Sequence, residues 1–325
     1  MKTFVTGGTG LIGRGLIRRM IGRGDRVVLL TRRVAAARLD PALKGAEFVA
    51  GDPTRPDEWM ASVSGCDSVV NLAGHGVFDA RWSPEVKRKI RDSRVYTTEN
   101  VVKAIAKAPE RPSTLVSASA IGYYGPCGDQ ELTEDAPSGT DFLAVVGREW
   151  EDAAKGVTAC GARLAIVRVG VVLSHEGGAL TLLKRVFQWV PGGASPVGGG
   201  SNPLGLGSGL QWMSWVHIDD MIGLFLLALD HTEARGPLNG VAPGPVRNVD
   251  FSKTLARVLR KKGPWPPFVP IGPPNLMLRA VLGEVAGVIT SGQRVRPKKA
   301  LALGYAFRFP ELEPALRDLL DRHHA

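Results

Sequence analysis

The 325-residue chain reads as an α/β protein: a doubly wound parallel sheet followed by a smaller mixed α/β lobe. Three observations predict this. Short apolar runs alternate with amphipathic stretches up to about residue 170, glycines cluster where the first run ends, and the composition changes beyond residue 173.

The first element is the run 1–6, Met-Lys-Thr-Phe-Val-Thr. It breaks into Gly7-Gly8-Thr9-Gly10-Leu11-Ile12-Gly13 and resumes with Leu16-Ile17 and Met20-Ile21, which is the pattern of strand, glycine turn and helix. The spacing reads as G-x-x-G-x-x-G through Gly7, Gly10 and Gly13, or as G-x-G-x-x-G through Gly8, Gly10 and Gly13. In either register the glycines permit a tight turn, let a pyrophosphate approach the backbone and allow close packing of helix on strand, while the helix start offers N–H groups to phosphate. A second apolar run at 27–30 closes the unit. These flanks predict a dinucleotide site in a Rossmann-type sheet.

At the end of the second run an NAD site offers a carboxylate to the ribose hydroxyls. This chain has Thr31-Arg32-Arg33 there. A guanidinium pairs with a 2′-phosphate that a carboxylate would repel, so the expected cofactor is NADP(H).

Further strands are expected at 47–50, 68–72, 114–117 and 164–169. Ligands in such sheets lie at the carboxyl ends of the strands, which here carry the glycine turn, Arg32, Asp52, Ala73-Gly74, Ser119 and Gly170 to Val172. Residues 1–172 are therefore read as the NADP(H)-binding domain, with 212–230 packing back on it. Residues 173–325 are read as a substrate lobe that contains a glycine-rich loop at 191–209 and a C-terminal domain from about 236.

A net charge of +10 raises the question of nucleic acid, yet the basic residues are scattered and no aromatic-interleaved stripe accompanies them. The charge reads instead as a solvated surface that attracts phosphorylated ligands. No apolar stretch approaches a membrane span, since the run at 221–229 is too short. The first strand begins at once, so no signal peptide is expected. Cys66, Cys127 and Cys160 are widely spaced and fit neither a disulfide framework nor a zinc site, which predicts a reducing, cytoplasmic setting. The His residues and carboxylates do not cluster at ligand spacing, so no metal is expected.

Five segments in order resemble the extended form of the short-chain dehydrogenase/reductase superfamily, the class of nucleotide-sugar epimerases. They are Thr6-Gly7-x-x-Gly10-x-x-Gly13, Gly51-Asp52, Asn71-Leu72-Ala73-Gly74, Ser117 to Gly125, and Val216-His217-Ile218-Asp219-Asp220. More narrowly the chain resembles the atypical "epimerase family" branch with a C-terminal domain of unknown function. That match rests on Gly122-Tyr123-Tyr124-Gly125, on 211–217, on 238–243, and on Gly292-Gln293-Arg294-Val295 with Pro297-Lys298-Lys299.

The resemblance implies cofactor contacts at Gly7, Gly10, Leu11, Ile12 and Gly13, at Thr31, Arg32 and Asp52, at Leu72, Ala73 and Gly74, and at Arg94 and Val172. Arg94 stands where extended members usually have Asn. A homodimer through helices flanking the fifth strand is also implied.

Extended members orient the substrate oxygen with Ser or Thr and move its proton with Tyr, assisted by a Lys four residues later. Ser119 fits the first role, the other reading being a strand-end residue that only hydrogen-bonds. The resemblance puts Leu143 at the Tyr position and Gly147 at the Lys position, and neither can carry a proton. Tyr123 or Tyr124 is the substitute this chain offers, the other reading being a structural turn at a strand end. His217 with Asp219 has the make-up of a general base, or of a structural His at a helix start.

Two functions follow. One is an NADP(H)-dependent oxidoreductase or epimerase-like enzyme acting on a small carbonyl or nucleotide-sugar-like substrate, with Ser119, Tyr123 and Tyr124 as catalytic residues. The other is a non-catalytic NADP(H)-binding regulator lacking the Tyr-x-x-x-Lys pair.

Overall fold

The computed structural model describes residues 1–181, 209–260, 284, 287 and 291–321. The glycine-rich loop expected at 191–209 lies, except for Gly209, outside the described residues.

The main sheet has seven strands: β1 (Lys2–Thr6), β2 (Arg26–Thr31), β3 (Glu47–Ala50), β4 (Ser68–Asn71), β5 (Thr114–Ala120), β7 (Arg163–Val169) and β11 (Gly236–Gly240). Their order is β11-β7-β5-β4-β1-β2-β3 and every pairing is parallel. From β1 the chain winds outward to β2 and β3, then returns to the other side of β1 with β4 and continues to β5, β7 and β11. The reversal leaves a crevice at the carboxyl ends of β1 and β4, where such sheets receive ligands.

Side-chain alternation along the central strands builds a core on each face. Val5, Val70 and Val116 face α1 (Leu11–Gly22) and α5 (Ile218–Asp230), meeting Leu16, Ile17, Met221 and Phe225. Phe4, Val69 and Leu115 face the other way, toward Val101, Ala104 and Ile105 of α3 (Pro84–Lys107) and Ala154 of α4 (Phe142–Lys155). A short α2 (Val34–Arg38) follows β2. Among the described residues no helix is long and apolar enough to cross a membrane.

The division drawn at residue 172 puts Gly236–Gly240 in the second lobe, whereas the backbone pairs it with β7 as the outermost strand of the main sheet. Pro237 is tolerated because an edge strand need not donate every ladder bond. The remaining lobe is assembled from short pairs: β8 (Val171–Leu173) with β10 (Trp215–His217), β9 (Trp212–Met213) with β12 (Val246–Arg247), and β6 (Glu131–Leu132) with β13 (Arg294–Val295). α6 (Asn248–Arg260) packs against α8 (Leu312–Asp321), and a short α7 (Lys298–Ala302) lies by β11.

Candidate active site

The glycine turn is fixed by sterics. Gly7 has φ +69°, a region that L side chains rarely adopt, and a Cβ on it would lie 2.5 Å from the Leu72 carbonyl carbon and 2.6 Å from the Ala73 nitrogen. A Cβ on Gly13 would come within 2.5 Å of the Gly8 Cα. The turn closes with a bond from the Gly10 N–H to the Gly7 carbonyl at 3.1 Å, and α1 then starts at Leu11 with no side chain capping it. The first-turn N–H groups of a helix lack intrahelical acceptors, so this start favours an anion.

Leu72, Ala73 and Gly74 therefore pass directly beneath the turn at the switch point. Gly178 adjoins both the Leu11 side chain and the Val172 carbonyl, which brings the end of β8 to the start of α1. One strand over, Thr31 ends β2 and its hydroxyl accepts from the Arg33 N–H at 3.2 Å, leaving Arg32 exposed. Asp52 follows β3. Partial burial works against its charge, but the N–H and hydroxyl of Thr54, together with Arg32 and Arg55, hold its carboxyl below the usual range.

Arg94 projects from α3 against Gly74. Its Nη1 donates to the carbonyls of His75 at 2.9 Å and Ile90 at 2.8 Å, and the guanidinium lies 5.2 Å from the centre of the Trp150 ring. The glycine turn, Leu72 to Gly74, Arg94 and Val172 thus gather at the switch point, while Thr31, Arg32 and Asp52 stand beside it. These residues fit a dinucleotide: the closest approaches leave no room for side chains, and the start of α1 is uncapped.

The corner formed by β5, α4 and β7 differs from the expectation of catalytic Ser119 and Tyr124. Ser119 is fully buried and its hydroxyl donates to Glu151 Oε1 at 2.7 Å. That carboxylate is held by Arg168, with Nε to Oε1 and Nη2 to Oε2 both at 2.8 Å. Arg168 stands opposite Ser119 in the β5–β7 register, so the side chains emerge on the same face. Burial works against the Arg168 charge, yet Glu151 more than offsets it and keeps the guanidinium above its ordinary pKa.

Tyr124 joins the same cluster. Its hydroxyl receives a bond from Arg168 Nη1 at 2.8 Å and meets the Asn239 Oδ1 at 2.7 Å and the Thr133 carbonyl at 3.0 Å. Burial pushes this phenol up to about 12, against the opposing pull of Arg168. The Ser119 and Tyr124 hydroxyls are both buried and committed to partners inside the protein. Tyr123 is half-buried, its ring lies 3.7 Å beneath the Arg168 guanidinium, and its hydroxyl makes no bond to the described residues.

The same corner explains Gly147. A Cβ there would lie 3.2 Å from the Tyr123 Cα, and one on Gly122 would lie 3.4 Å from the Leu143 Cβ. The turn Ile121–Tyr124 is pressed onto α4 where the resemblance would put Tyr and Lys. His217 is likewise structural in its contacts: it caps α5, accepting from the Asp219 N–H at Nδ1 (3.0 Å), so the ring proton sits on Nε2 facing Asp318 at 3.1 Å. A cavity of about 290 Å³ lined by Arg18, Arg19, Arg23 and Asp219 lies elsewhere, toward the far end of α1 from the glycine turn.

Sequence reasoning gives the network residues Glu151, Arg168, Glu134 and Asn239 no site role, although Glu151 marks the end of the family's proton-transfer motif and Asn239 lies in the matched segment 238–243. Arg168 carries the one available signal, a cation inside the apolar run 164–169, where a buried charge needs a partner.

Residues 3–239 match the model of the NAD dependent epimerase/dehydratase family, and residues 273–319 match a domain of unknown function, DUF1731. An Arabidopsis thaliana relative, the chloroplastic homolog of epimerase family protein SDR39U1, is 39% identical over 98% of this chain and 87% of its own length. The crystal structure of human epimerase family protein SDR39U1 with NADPH superposes with a TM-score of 0.83 at 33% identity, covering 99% of each chain. A nucleoside-diphosphate sugar epimerase from Corynebacterium glutamicum gives 0.74 at 31% identity, covering 98% of this chain and 58% of that one. With an intact glycine cradle, an altered proton-transfer corner and these likenesses along its length, the chain belongs to the NAD-dependent epimerase/dehydratase family.

Proposed function

We propose that this protein binds NADP(H) across the switch point and acts as an oxidoreductase or epimerase-like enzyme on a small carbonyl or nucleotide-sugar-like substrate. The observation that carries the reading is the cradle: Gly7 and Gly13 sit where no side chain fits, under an uncapped helix start, with Arg32 at the end of β2. Gly7, Gly10, Leu11, Ile12 and Gly13 hold the diphosphate, and Thr31 and Arg32 the 2′-phosphate. Asp52 lies on the adenosine side, and Leu72, Ala73, Gly74 and Val172 line the remainder. When bound, the nicotinamide supplies hydride transfer. The human relative holds NADPH, which supports the same cofactor here.

On this reading Ser119 and Tyr124 keep the corner rigid, and Tyr123 is the phenol left to pass a proton. A regulator is the second reading. It is favoured by the packing of Tyr123 on Gly147, which closes the position of the family's proton-transfer pair. A cytoplasmic location agrees with three free thiols.

The test is a titration with NADPH and NADH, followed by the absorbance of bound NADPH during addition of carbonyl compounds and nucleotide sugars. Preferential NADPH binding with substrate-dependent oxidation is expected, and Tyr123→Phe lowers that rate while leaving cofactor affinity intact. Equal affinity for NADH would sink the role of Arg32. Tight NADPH binding without oxidation across the panel would favour the regulator.

A further inference from the structure

The outer face of α1 and its C-cap reads Gly15, Arg18, Arg19, Gly22, Arg23, positions i, i+3, i+4, i+7 and i+8 that lie along one stripe of a helix. The opposite stripe, with Leu16, Ile17 and Met20, is the one buried on the sheet. At about 100° per residue Gly15 and Gly22 project almost together, and Arg18 and Arg19 rise about 40–60° to either side of them. The glycines thus make a floor between two guanidinium walls. These five residues line a cavity of about 290 Å³, which Asp219 and Ile222 of α5 close. That volume is near the lower end of ligand pockets, about 300 Å³.

The two glycines have different grounds. A Cβ on Gly15 would lie 2.4 Å from the Ile222 Cδ1, so packing on α5 requires it. A Cβ on Gly22 would meet nothing within 4 Å, and the backbone there is not left-handed, so its missing side chain only leaves the floor open. The charges are divided in the same way. Arg14, Arg18, Arg19 and Arg23 follow one another with no acidic residue between them, and like charges at i and i+4 oppose a helix. The outer two are compensated from other elements: Arg14 by Asp40 at 2.8 Å, and Arg23 by Asp25 and by Asp230 at 3.1 Å. The inner two, Arg18 and Arg19, are exposed and make no hydrogen bond or ion pair to the described residues. Across the groove Asp219 Oδ2 accepts from Arg308 Nη1 at 3.2 Å, which offsets the charge it turns toward an anion.

We propose that this groove binds a small hydroxylated phosphate monoester, with its phosphate between Arg18 and Arg19. Two guanidinium groups suit a phosphate dianion, since each offers it paired N–H bonds. Ile222 is an apolar wall for the carbon skeleton, and the Asp219 carboxylate accepts from a hydroxyl. The groove shares none of its lining with the glycine turn, Arg32 or Ser119, so it is separate from the dinucleotide crevice and does not depend on what that crevice binds.

The test is calorimetric binding of glycerol 3-phosphate and of inorganic phosphate to the full chain, at low and high salt and with NADPH as competitor. Two variants attack the groove in different ways. Arg18→Gln with Arg19→Gln removes the charges, and Gly22→Leu keeps both charges and fills the floor. All three positions are exposed, and circular dichroism confirms that the variants fold. Wild type should bind glycerol 3-phosphate more tightly than inorganic phosphate, more weakly at high salt, and equally well with NADPH present. Each variant should weaken that binding at least about tenfold, the loss of one charge-assisted bond. No binding by wild type, displacement by NADPH, or unchanged binding in the double Gln variant would overturn the proposal. Loss in the double Gln variant with normal binding in Gly22→Leu would overturn it as well, because the arginines would then act as a solvated face without a groove. Equal affinity for the two probes would overturn the assignment of a monoester.

Discussion

The two halves of the crevice are built on opposite plans. At β1 and α1 the backbone is stripped of side chains, so that Gly7 approaches Leu72 and the helix start stays uncapped. At β5, α4 and β7 four polar side chains are spent on one another: Ser119 on Glu151, Glu151 on Arg168, Arg168 on Tyr124, and Tyr124 in turn on Asn239 of β11. The first half keeps its backbone close and its helix start uncapped, and the second pairs its polar side chains internally. A family's letters can thus persist in one half as a site and in the other as scaffold, because a Ser or Tyr is equally suited to a substrate oxygen and to a buried carboxylate.

The largest expected effect comes from breaking the closed half. Glu151→Gln leaves Arg168 charged and buried without its carboxylate, which costs about 3–5 kcal/mol of stability in urea unfolding. The double variant Glu151→Met with Arg168→Met loses far less than the sum of the single losses, since removing both charges removes the unpaired one. Losses that simply add would mean that the pair is not the unit described here. The effect also reaches the C-terminal lobe, because Glu134 accepts from the Asn239 and Lys299 N–H groups, and Asn239 donates to the Arg296 carbonyl.

Breaking the open half costs less stability and more binding. Gly7→Ala puts a methyl group into the Leu72 backbone and strains a left-handed residue, about 2–4 kcal/mol in all. NADPH affinity should fall at least about tenfold, because the turn must move from beneath the ligand. A variant as stable as wild type that still binds NADPH normally would show that the close approach is not required.

Much of this plan was legible in the sequence, and the illegible part has a physical cause. The glycine turn is written locally: three glycines between an apolar run and an amphipathic helix admit few other structures. The strands read correctly because buried parallel strands are continuous apolar runs. β11 was hidden since Gly236-Pro237 and Gly240 resemble a loop, and only its place at the sheet edge makes it a strand. The sequence offers both a catalytic and a structural reading of Ser119 and Tyr124, but not their partners, because Glu151 and Arg168 lie 32 and 44 positions away from them in the chain. Arg168 within an apolar strand was the clue that their polar atoms had another use.

Reinstating the family's proton-transfer pair tests whether the closed half is an accident of two letters. Gly147→Ala alone should cost about 1–3 kcal/mol, since the new methyl meets the Tyr123 backbone at 3.2 Å and the turn cannot recede without disturbing Tyr124. Leu143→Tyr with Gly147→Lys should therefore be less stable than wild type and gain no activity. A stable double variant with new turnover would mean that the corner can still open.

The smallest effect is a titration that reads the closed half without altering it. The chain has four tyrosines. Tyr124 is held up to about 12 by burial, and Tyr305 is raised as well, by burial and by Asp220 beside its hydroxyl. A raised folded pKa means that the native state keeps its proton where the unfolded chain has lost it. The stability this gives Tyr124 is complete below about pH 10, where both states are protonated, and is lost as pH rises from about 10 toward 12, on the order of 1 kcal/mol. Ultraviolet difference titration of the folded protein should show phenols still protonated above pH 11, and Tyr124→Phe should remove one of these late steps while leaving that of Tyr305. If all four ionised together near pH 10 with the fold intact, Tyr124 would be reachable by solvent, and it would return as a candidate for moving a substrate proton.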